Sequence, residues 1–284
     1  MSVLDRARAK AATLKARVVF PEAQEPRVAE AMARLAGEGL ATPLPLAPVS
    51  EAQVAALMAA RGMKEGLARK MLEKPLIRAA AMVAAGEAEA MVAGADSPTR
   101  RVIEAAGLAI GLAEGVSLPS SFFLMRLADG REMIWADCAV NLAPDAAGLA
   151  AIARASAASA NALLGEARVA LLSFSTGSSG AGPSVDAVRA AAEATGFAGP
   201  VQADAALNAV VAARKGAVFA DPNVLIFPSL DAGNIAYKLA QELAGVQALG
   251  PCLQGFRKPV CDLSRGASVA DIIASTLVTL ALLP

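Results

Sequence analysis

Short apolar runs alternate along the chain with segments whose apolar residues recur at helical spacing. Residues 3–16 carry a helical period, Arg17-Val18-Val19-Phe20-Pro21 reads as a buried strand stopped by proline, and Val28, Met32 and Leu35 mark a helix from Val28 to Gly37. A proline-interrupted strand is expected within Ala41–Pro48, then helices over 51–61 and 64–86, the second broken at Pro75. The run Ala88–Ala93 reads as a strand that ends in Gly94 and turns through Ser97-Pro98-Thr99 into a helix over about Arg100–Leu112. Ser121–Met125 and Glu132–Asp137 are strands joined through Ala128-Asp129-Gly130, a hairpin signal, so one antiparallel pair is expected within otherwise parallel sheet.

Asp145 opens a long Ala-rich helix to about Leu164, read as the passage into a second domain. Strands follow at Val169–Phe174, Val201-Gln202, Val224–Pro228 and Gln247–Leu253, with helices from Ser184, over Leu207–Arg214 and over Ile235–Leu243. Asp231-Ala232-Gly233-Asn234 reads as a small-residue loop before the last of these. The β/α alternation predicts an α/β fold, and 284 residues suit two domains better than one core.

Composition narrows the chemistry. Apolar residues make up 56% and aromatics 4%, so the core must be built from Ala, Val, Leu and Ile. Lys plus Arg equals Asp plus Glu at 26 each, which leaves no global field for nucleic acid or an anionic membrane surface. Any anionic ligand must meet a local basic pocket. Histidine is absent, which removes Ser-His-Asp triads, Cys-His pairs, His-ligated metal sites and imidazole shuttles. Cys138, Cys252 and Cys261 form no CxxC and no paired framework, the pattern of reduced packing thiols in a cytoplasm. The start, Met1-Ser2-Val3-Leu4-Asp5-Arg6, has no signal-peptide core, and no uninterrupted apolar run reaches membrane-span length.

Three stretches carry candidate chemistry. Arg100 and Arg101 adjoin the turn after Gly94, where they either hold a phosphate or stand solvated on a first helical turn. Ser175-Thr176-Gly177-Ser178-Ser179-Gly180, between a strand and a helix, offers close backbone approach, hydroxyls and amides to a phosphate or cofactor. It matches neither nucleotide-loop signature. Near the end, Asp262-Leu263-Ser264-Arg265-Gly266-Ala267-Ser268-Val269-Ala270-Asp271 offers Arg265 to clamp an anion, Ser264 as a donor to an oxyanion, and Asp271 as a base. The same letters spell a helix start, with Ser268 as cap and Asp271 answering from the third helical position. Both readings stand on the sequence.

In order along the chain, these segments resemble the phosphate acetyltransferase and phosphate butyryltransferase family. The resemblance rests on Val19-Phe20-Pro21-Glu22 with Arg27, Met91-Val92-Ala93-Gly94-Ala95, Asp137-Cys138-Ala139-Val140-Asn141 with Pro144-Asp145, and the Ser175 loop. Phe227-Pro228 with Gly233-Asn234 and Pro259-Val260-Cys261-Asp262-Leu263-Ser264-Arg265-Gly266 complete it. It implies reversible acyl transfer between coenzyme A and inorganic phosphate (acetyl-CoA plus phosphate giving acetyl phosphate plus CoA), in a ternary complex without metal or added cofactor. It also implies a cytoplasmic homodimer with two three-layer α/β/α domains around a cleft, similar to the isocitrate and isopropylmalate dehydrogenases. Residues 1–140 with 253–284 are expected in one domain and 141–252 in the other. Carried over, Asp271 takes the coenzyme A thiol proton, and Ser264 and Arg265 meet the reacting carbonyl and phosphate. Substrate contacts are expected from Ser175, Thr176, Gly177, Ser178, Ser179, Gly180, Gly233, Asn234, Arg100, Arg101 and Arg131. A longer-chain acyltransferase and a non-catalytic acetyl-CoA sensor are the alternatives.

Two departures stand out. Where the family commonly has a His-Ser-Thr turn and then an arginine, this chain has Ser97-Pro98-Thr99 and then Glu104, and Arg100 or Arg101 is expected to substitute from a neighbouring position. The segment between about Gly39 and Glu65 is also shorter than usual, with consequences for acyl-chain preference.

Overall fold

The computed structural model describes residues 1–218 and 220–284, and divides into two compact units, Met1–Val116 with Leu249–Pro284, and Ser117–Ala248. The change-over at Ser117 precedes the expected one at 140. The reason is pairing: the hairpin strand Glu132–Ala136 lies parallel to Val224–Ile226 and so belongs with the second unit.

The first unit opens with α1 (Val3–Leu14), started by a reciprocal cap in which the Asp5 N–H donates to Ser2 Oγ at 3.2 Å and the Ser2 N–H to Asp5 Oδ2 at 3.0 Å. β1 (Arg17–Val19), α2 (Pro26–Gly37), β2 (Thr42–Leu44), α3 (Glu51–Arg61), α4 (Glu65–Leu72), α5 (Pro75–Ala84), β3 (Ala90–Ala93) and α6 (Thr99–Ala109) follow. Pro75, expected as a helix breaker, ends one helix and starts the next, where its missing N–H costs nothing.

The second unit holds β4 (Ser120–Arg126), β5 (Glu132–Ala136), α7 (Ala146–Leu164), β6 (Val169–Leu172), α8 (Pro183–Thr195), β7 (Ala198–Val201), α9 (Ala203–Leu207), α10 (Ala209–Arg214), β8 (Val224–Ile226) and α11 (Leu230–Ala244). Its strand order is β4-β5-β8-β6-β7, all parallel except the expected antiparallel hairpin β4–β5. α7 is long and apolar enough to cross a membrane, yet Leu149, Ile152, Ala153 and Ala160 are buried among its neighbours α8, β5 and β8, as in a core helix. The scarce aromatics gather here: Phe123 and Tyr237 stack at 4.2 Å between centroids, and Trp135 meets Phe227 at 5.5 Å. The expected loop 231–234 is instead the first turn of α11, capped by Ser229, which accepts the Ala232 N–H.

The chain then returns to the first unit through β9 (Gln247–Gln254), β10 (Val260–Asp262) and α12 (Val269–Ala281). β10 was not expected. It inserts between β3, to which it is parallel, and β9, to which it is antiparallel, giving the order β2-β1-β3-β10-β9. Helices α1, α2 and α12 pack together as one layer and α3 to α6 as another. The Lys10 ammonium donates to the carbonyls of Leu283 and, at 3.1 Å, Ala281, tying α1 to the end of α12. Because β1, β3 and β10 run parallel, the loops that follow them emerge at one end of the sheet.

Gly94 closes that end tightly. It sits at φ +103°, and an added Cβ would lie 2.4 Å from Asp262 Oδ1 and 2.6 Å from the Leu263 nitrogen. Gly94→Ala therefore combines backbone strain with a clash against main chain, and is expected to destabilise the protein by about 3 kcal/mol, read as a lowered denaturation midpoint at unchanged slope.

Candidate functional site

Three loops of the first unit are locked to one another. Glu22, after β1, accepts at Oε2 from the Gly94 (2.9 Å) and Ala95 (2.8 Å) N–H groups and at Oε1 from that of Asp96 (3.2 Å). The amides at the end of β3 thus hold a carboxylate supplied by the chain itself. Arg27 ion-pairs with Glu25 at 2.7 Å and donates from Nη1 to the carbonyls of Arg265 and Ala267, each at 2.8 Å. Its Nη2 reaches the Ala95 carbonyl at 3.4 Å. Both residues lie within the segments quoted for the family resemblance, but the sequence assigned them no task.

The Arg265 backbone is fixed while its side chain is not. Ser264 and Arg265 are both exposed, and Arg265 forms no ion pair among the described residues. The Ser264 hydroxyl accepts only the Gly266 N–H, at 3.3 Å, so it remains free to donate. Asp271 stands at the third position of α12 in the reciprocal cap read from the sequence: its Oδ2 accepts from the Ser268 N–H (3.0 Å) and hydroxyl (2.7 Å), and its own N–H donates to Ser268 Oγ (3.2 Å). Oδ1 accepts no hydrogen bond among the described residues. The cap therefore leaves one carboxylate oxygen open, and the two readings of Asp271 are compatible.

At the foot of this loop lies a group the sequence did not single out. Asp262 ends β10 with 1% of its surface exposed. Its Oδ2 accepts from Thr99 Oγ1 at 2.6 Å, while its buried Oδ1 has no partner among the described residues. Burial pushes its pKa from 3.8 to about 7, opposed by the Thr99 hydrogen bond, assisted by the negative charge of Glu22 and opposed by the positive charge of Arg265. The two arginines of the neighbouring helix separate. Arg100 pairs with Glu104 at 2.7 Å and is 89% exposed. Arg101 has no ion pair among the described residues and lines a cavity of about 720 Å³ with Met71, Lys74, Ile77, Ser97 and Glu104.

In the second unit the candidate ligand loop is largely turned on itself. Ser175 Oγ accepts the Gly180 N–H at 2.8 Å and lies 3.3 Å from Ser179 Oγ, and Ser179 Oγ accepts the Thr176 N–H at 2.9 Å. Thr176 Oγ1 exchanges hydrogen bonds with Gln202 at 3.1 and 3.2 Å, and the Gly177 N–H donates to the Pro200 carbonyl. What the loop presents outward is the Ser178 hydroxyl, exposed backbone and the Phe174 ring, beside a cavity of about 360 Å³ that also meets Lys215.

Gly233 and Asn234 also face inward. A Cβ on Gly233 would stand 2.5 Å from the Asp137 carbonyl, and Asn234 Nδ2 donates to the Cys138 carbonyl at 3.0 Å. They brace the turn after β5, whose centre is the buried Asp137 carboxylate, the acceptor for the Ala139, Val140 and Asn141 N–H groups and the Ser121 hydroxyl. Arg131 does not join these residues. It precedes β5, at the opposite end of the parallel strands from the Asp137, Ser175 and Pro228 turns, and pairs with Asp129 at 2.7 Å.

All three cysteines are buried and unpaired with one another as disulfides. Burial and the neighbouring Asp137 charge raise the Cys138 thiol, and the Cys252 hydrogen bond together with burial raises that of Cys261, so neither is an activated nucleophile.

Parallel strand-end loops that carry an exposed serine, an exposed arginine and a half-free carboxylate define an α/β protein with a candidate anion site. Residues 48–280 match the model of the phosphate acetyl/butaryl transferase family, and the chain belongs to that family. It is similar to a phosphate acetyltransferase of Paracoccus denitrificans, 41% identical over 98% of this chain and 98% of that protein. A phosphate acetyltransferase of Pseudomonas aeruginosa is 38% identical over 93% of this chain but only 43% of its own length, so the chain spans less than half of that longer relative. Among solved structures, a phosphotransacetylase from Streptococcus pyogenes matches with a TM-score of 0.91 at 34% identity, over 98% of this chain and 97% of that one.

The buried Asp262 carboxyl makes stability depend on pH. Because its folded-state pKa lies above 3.8, at about 7, the folded chain holds this proton more tightly than the unfolded chain, and stability falls as pH rises between those values. Asp262→Asn keeps an acceptor for Thr99 and cannot ionise. Between about pH 5 and pH 8, denaturant titrations are expected to show the variant gaining on the wild type by on the order of 2–3 kcal/mol.

Proposed function

We propose that the protein is a phosphate acetyltransferase that moves an acetyl group between coenzyme A and inorganic phosphate. The observation that carries the reading is the near full-length similarity to the Paracoccus denitrificans phosphate acetyltransferase, joined to a loop on which Ser264 and Arg265 stand exposed and which leads into the α12 cap, where Asp271 keeps one oxygen open. In the direction of acetyl phosphate synthesis, a phosphate oxygen attacks the thioester carbonyl carbon, the C–S bond breaks, and the thiolate leaves to take up a proton. In reverse, the thiol proton passes to a base and the thiolate attacks acetyl phosphate. A free thiol ionises near pH 8.5, so a carboxylate at hand raises the thiolate fraction.

We read Asp271 as that base, through Oδ1. Ser264 donates to the tetrahedral oxyanion and Arg265 holds the phosphate. From the neighbouring helix Arg101, without an ion pair among the described residues, takes the part of a second anion contact, whereas Arg100 is engaged by Glu104. No metal or added cofactor enters this scheme. The buried, unbridged cysteines favour a reducing, cytoplasmic setting, and the family resemblance supports a homodimer.

The test is thiol release from acetyl-, propionyl- and butyryl-CoA on addition of phosphate. Turnover greatest with acetyl-CoA is expected. Preference for butyryl-CoA would assign the longer-chain reaction, and binding of coenzyme A without turnover would make the chain a sensor. Asp271→Asn, which keeps an acceptor for Ser268, is expected to lower kcat roughly 100-fold or more with little change in melting temperature; unchanged kcat removes Asp271 as the base. Arg101→Glu is expected to raise the phosphate KM at least about tenfold, against less than about threefold for Arg100→Glu.

A further inference from the structure

We propose that Asp262 is a positioning residue for this reaction: pinned to Thr99 beneath the Ser264–Arg265 loop, its carboxyl governs, by gaining or losing a proton, how firmly Arg265 holds phosphate. The inference rests on the reading of Ser264 and Arg265 as the anion-binding loop.

Asp262 cannot itself touch a substrate, because it is buried under Gly94 and Leu263. As a brace alone it is ill chosen. Thr99 needs one acceptor, Oδ2 supplies it at 2.6 Å, and Oδ1 is left buried with nothing to accept from. The close approach to Gly94, where even a Cβ would lie at 2.4 Å, leaves no room for a water on that side. An amide would hold Thr99 equally well and bring no charge into the interior. What the carboxyl adds is a charge that can be switched.

The surroundings make the switch responsive to the ligand. From the loop after β1, Glu22 favours the protonated form; from its own loop, Arg265 favours the ionised form. α6 faces it with the neutral Thr99 hydroxyl, β3 with Ala93, and the adjacent Cys261 thiol is held neutral. Of the other charged groups of these loops, Arg27 is engaged by Glu25 and loop carbonyls, and Asp271 stands in the cap of α12 with Oδ2 on Ser268. When Asp262 is ionised it competes for the Arg265 guanidinium with any anion outside. When it is neutral the full charge of Arg265 faces outward. By reciprocity, an arriving phosphate raises the proton affinity of Asp262, and binding and protonation favour each other. The midpoint, at about pH 7, falls where the enzyme would feel it.

The experiment is the pH dependence of phosphate KM and of kcat for wild type, Asp262→Asn, Thr99→Val and Thr99→Ser. Phosphate's own ionisation is common to all four and cancels in the ratio of each variant to wild type. Relative to Asp262→Asn, the wild-type phosphate KM should rise above about pH 7 by roughly five- to tenfold while kcat changes much less. Thr99→Val removes the hydrogen bond that favours the ionised form, so the break moves to higher pH; Thr99→Ser restores it. A KM ratio of wild type to Asp262→Asn that is flat with pH overturns the proposal, as does a Thr99→Val profile that coincides with wild type. The threonine pair decides the matter even if Asp262→Asn folds poorly. Absence of phosphate-dependent thiol release from the wild type would instead overturn the acetyltransferase reading and this inference with it, whereas turnover with superimposable profiles overturns this inference alone.

Discussion

The guanidinium of Arg27 is the tie on which the loops of the first unit depend. One side chain, neutralised by Glu25, holds the carbonyls of Arg265 and Ala267 and approaches that of Ala95, so that two loops far apart in sequence share one anchor. Glu22 does the reciprocal service with the opposite charge, gathering the N–H groups of Gly94, Ala95 and Asp96. Between them the two side chains fix main chain and leave the Ser264 and Arg265 side chains uncommitted. A fixed backbone bearing free donors is the condition for binding charge without first reorganising.

The second unit applies the same economy of parts to a different end. Asp137, Ser175, Thr176, Ser179 and Asn234 look, by type, like ligand contacts, yet their polar atoms are consumed in shaping the turns that carry them. The outward chemistry of that unit is left to backbone, to Ser178 and to the cation Lys215, which is itself held by Asp204 at 2.7 Å. Hydroxyl-rich loops need their hydroxyls first for themselves, since buried amides at sharp turns must find acceptors somewhere.

Local signals were legible and remote partners were not. The cap at Ser268 and Asp271, the restart at Pro75, the β4–β5 hairpin and the packing role of the cysteines all follow from short-range rules, and each is found. β10 escaped because three residues after a proline carry no period, and it is a strand only through β3 and β9. Asp262 escaped for the same reason: its character comes from Thr99, 163 positions away, and from burial that no nearby residue announces. The turn at 231–234 was misread because Gly233 and Asn234 suggest a loop, whereas close packing on Asp137 and Cys138 is what asks for a small residue there.

The place of β10 also bears on the order in which the molecule is made. It occupies the interior of the first unit's sheet, yet it is encoded after the whole of Ser117–Ala248. As the chain emerges during synthesis, β3 must therefore wait with one edge unpaired until the intervening unit has been translated, while that unit is contiguous and can close at once. The nascent protein is thus exposed to edge-to-edge pairing for most of its synthesis, and it is the arrival of β10, bearing Asp262 and the Ser264–Arg265 loop, that completes the sheet.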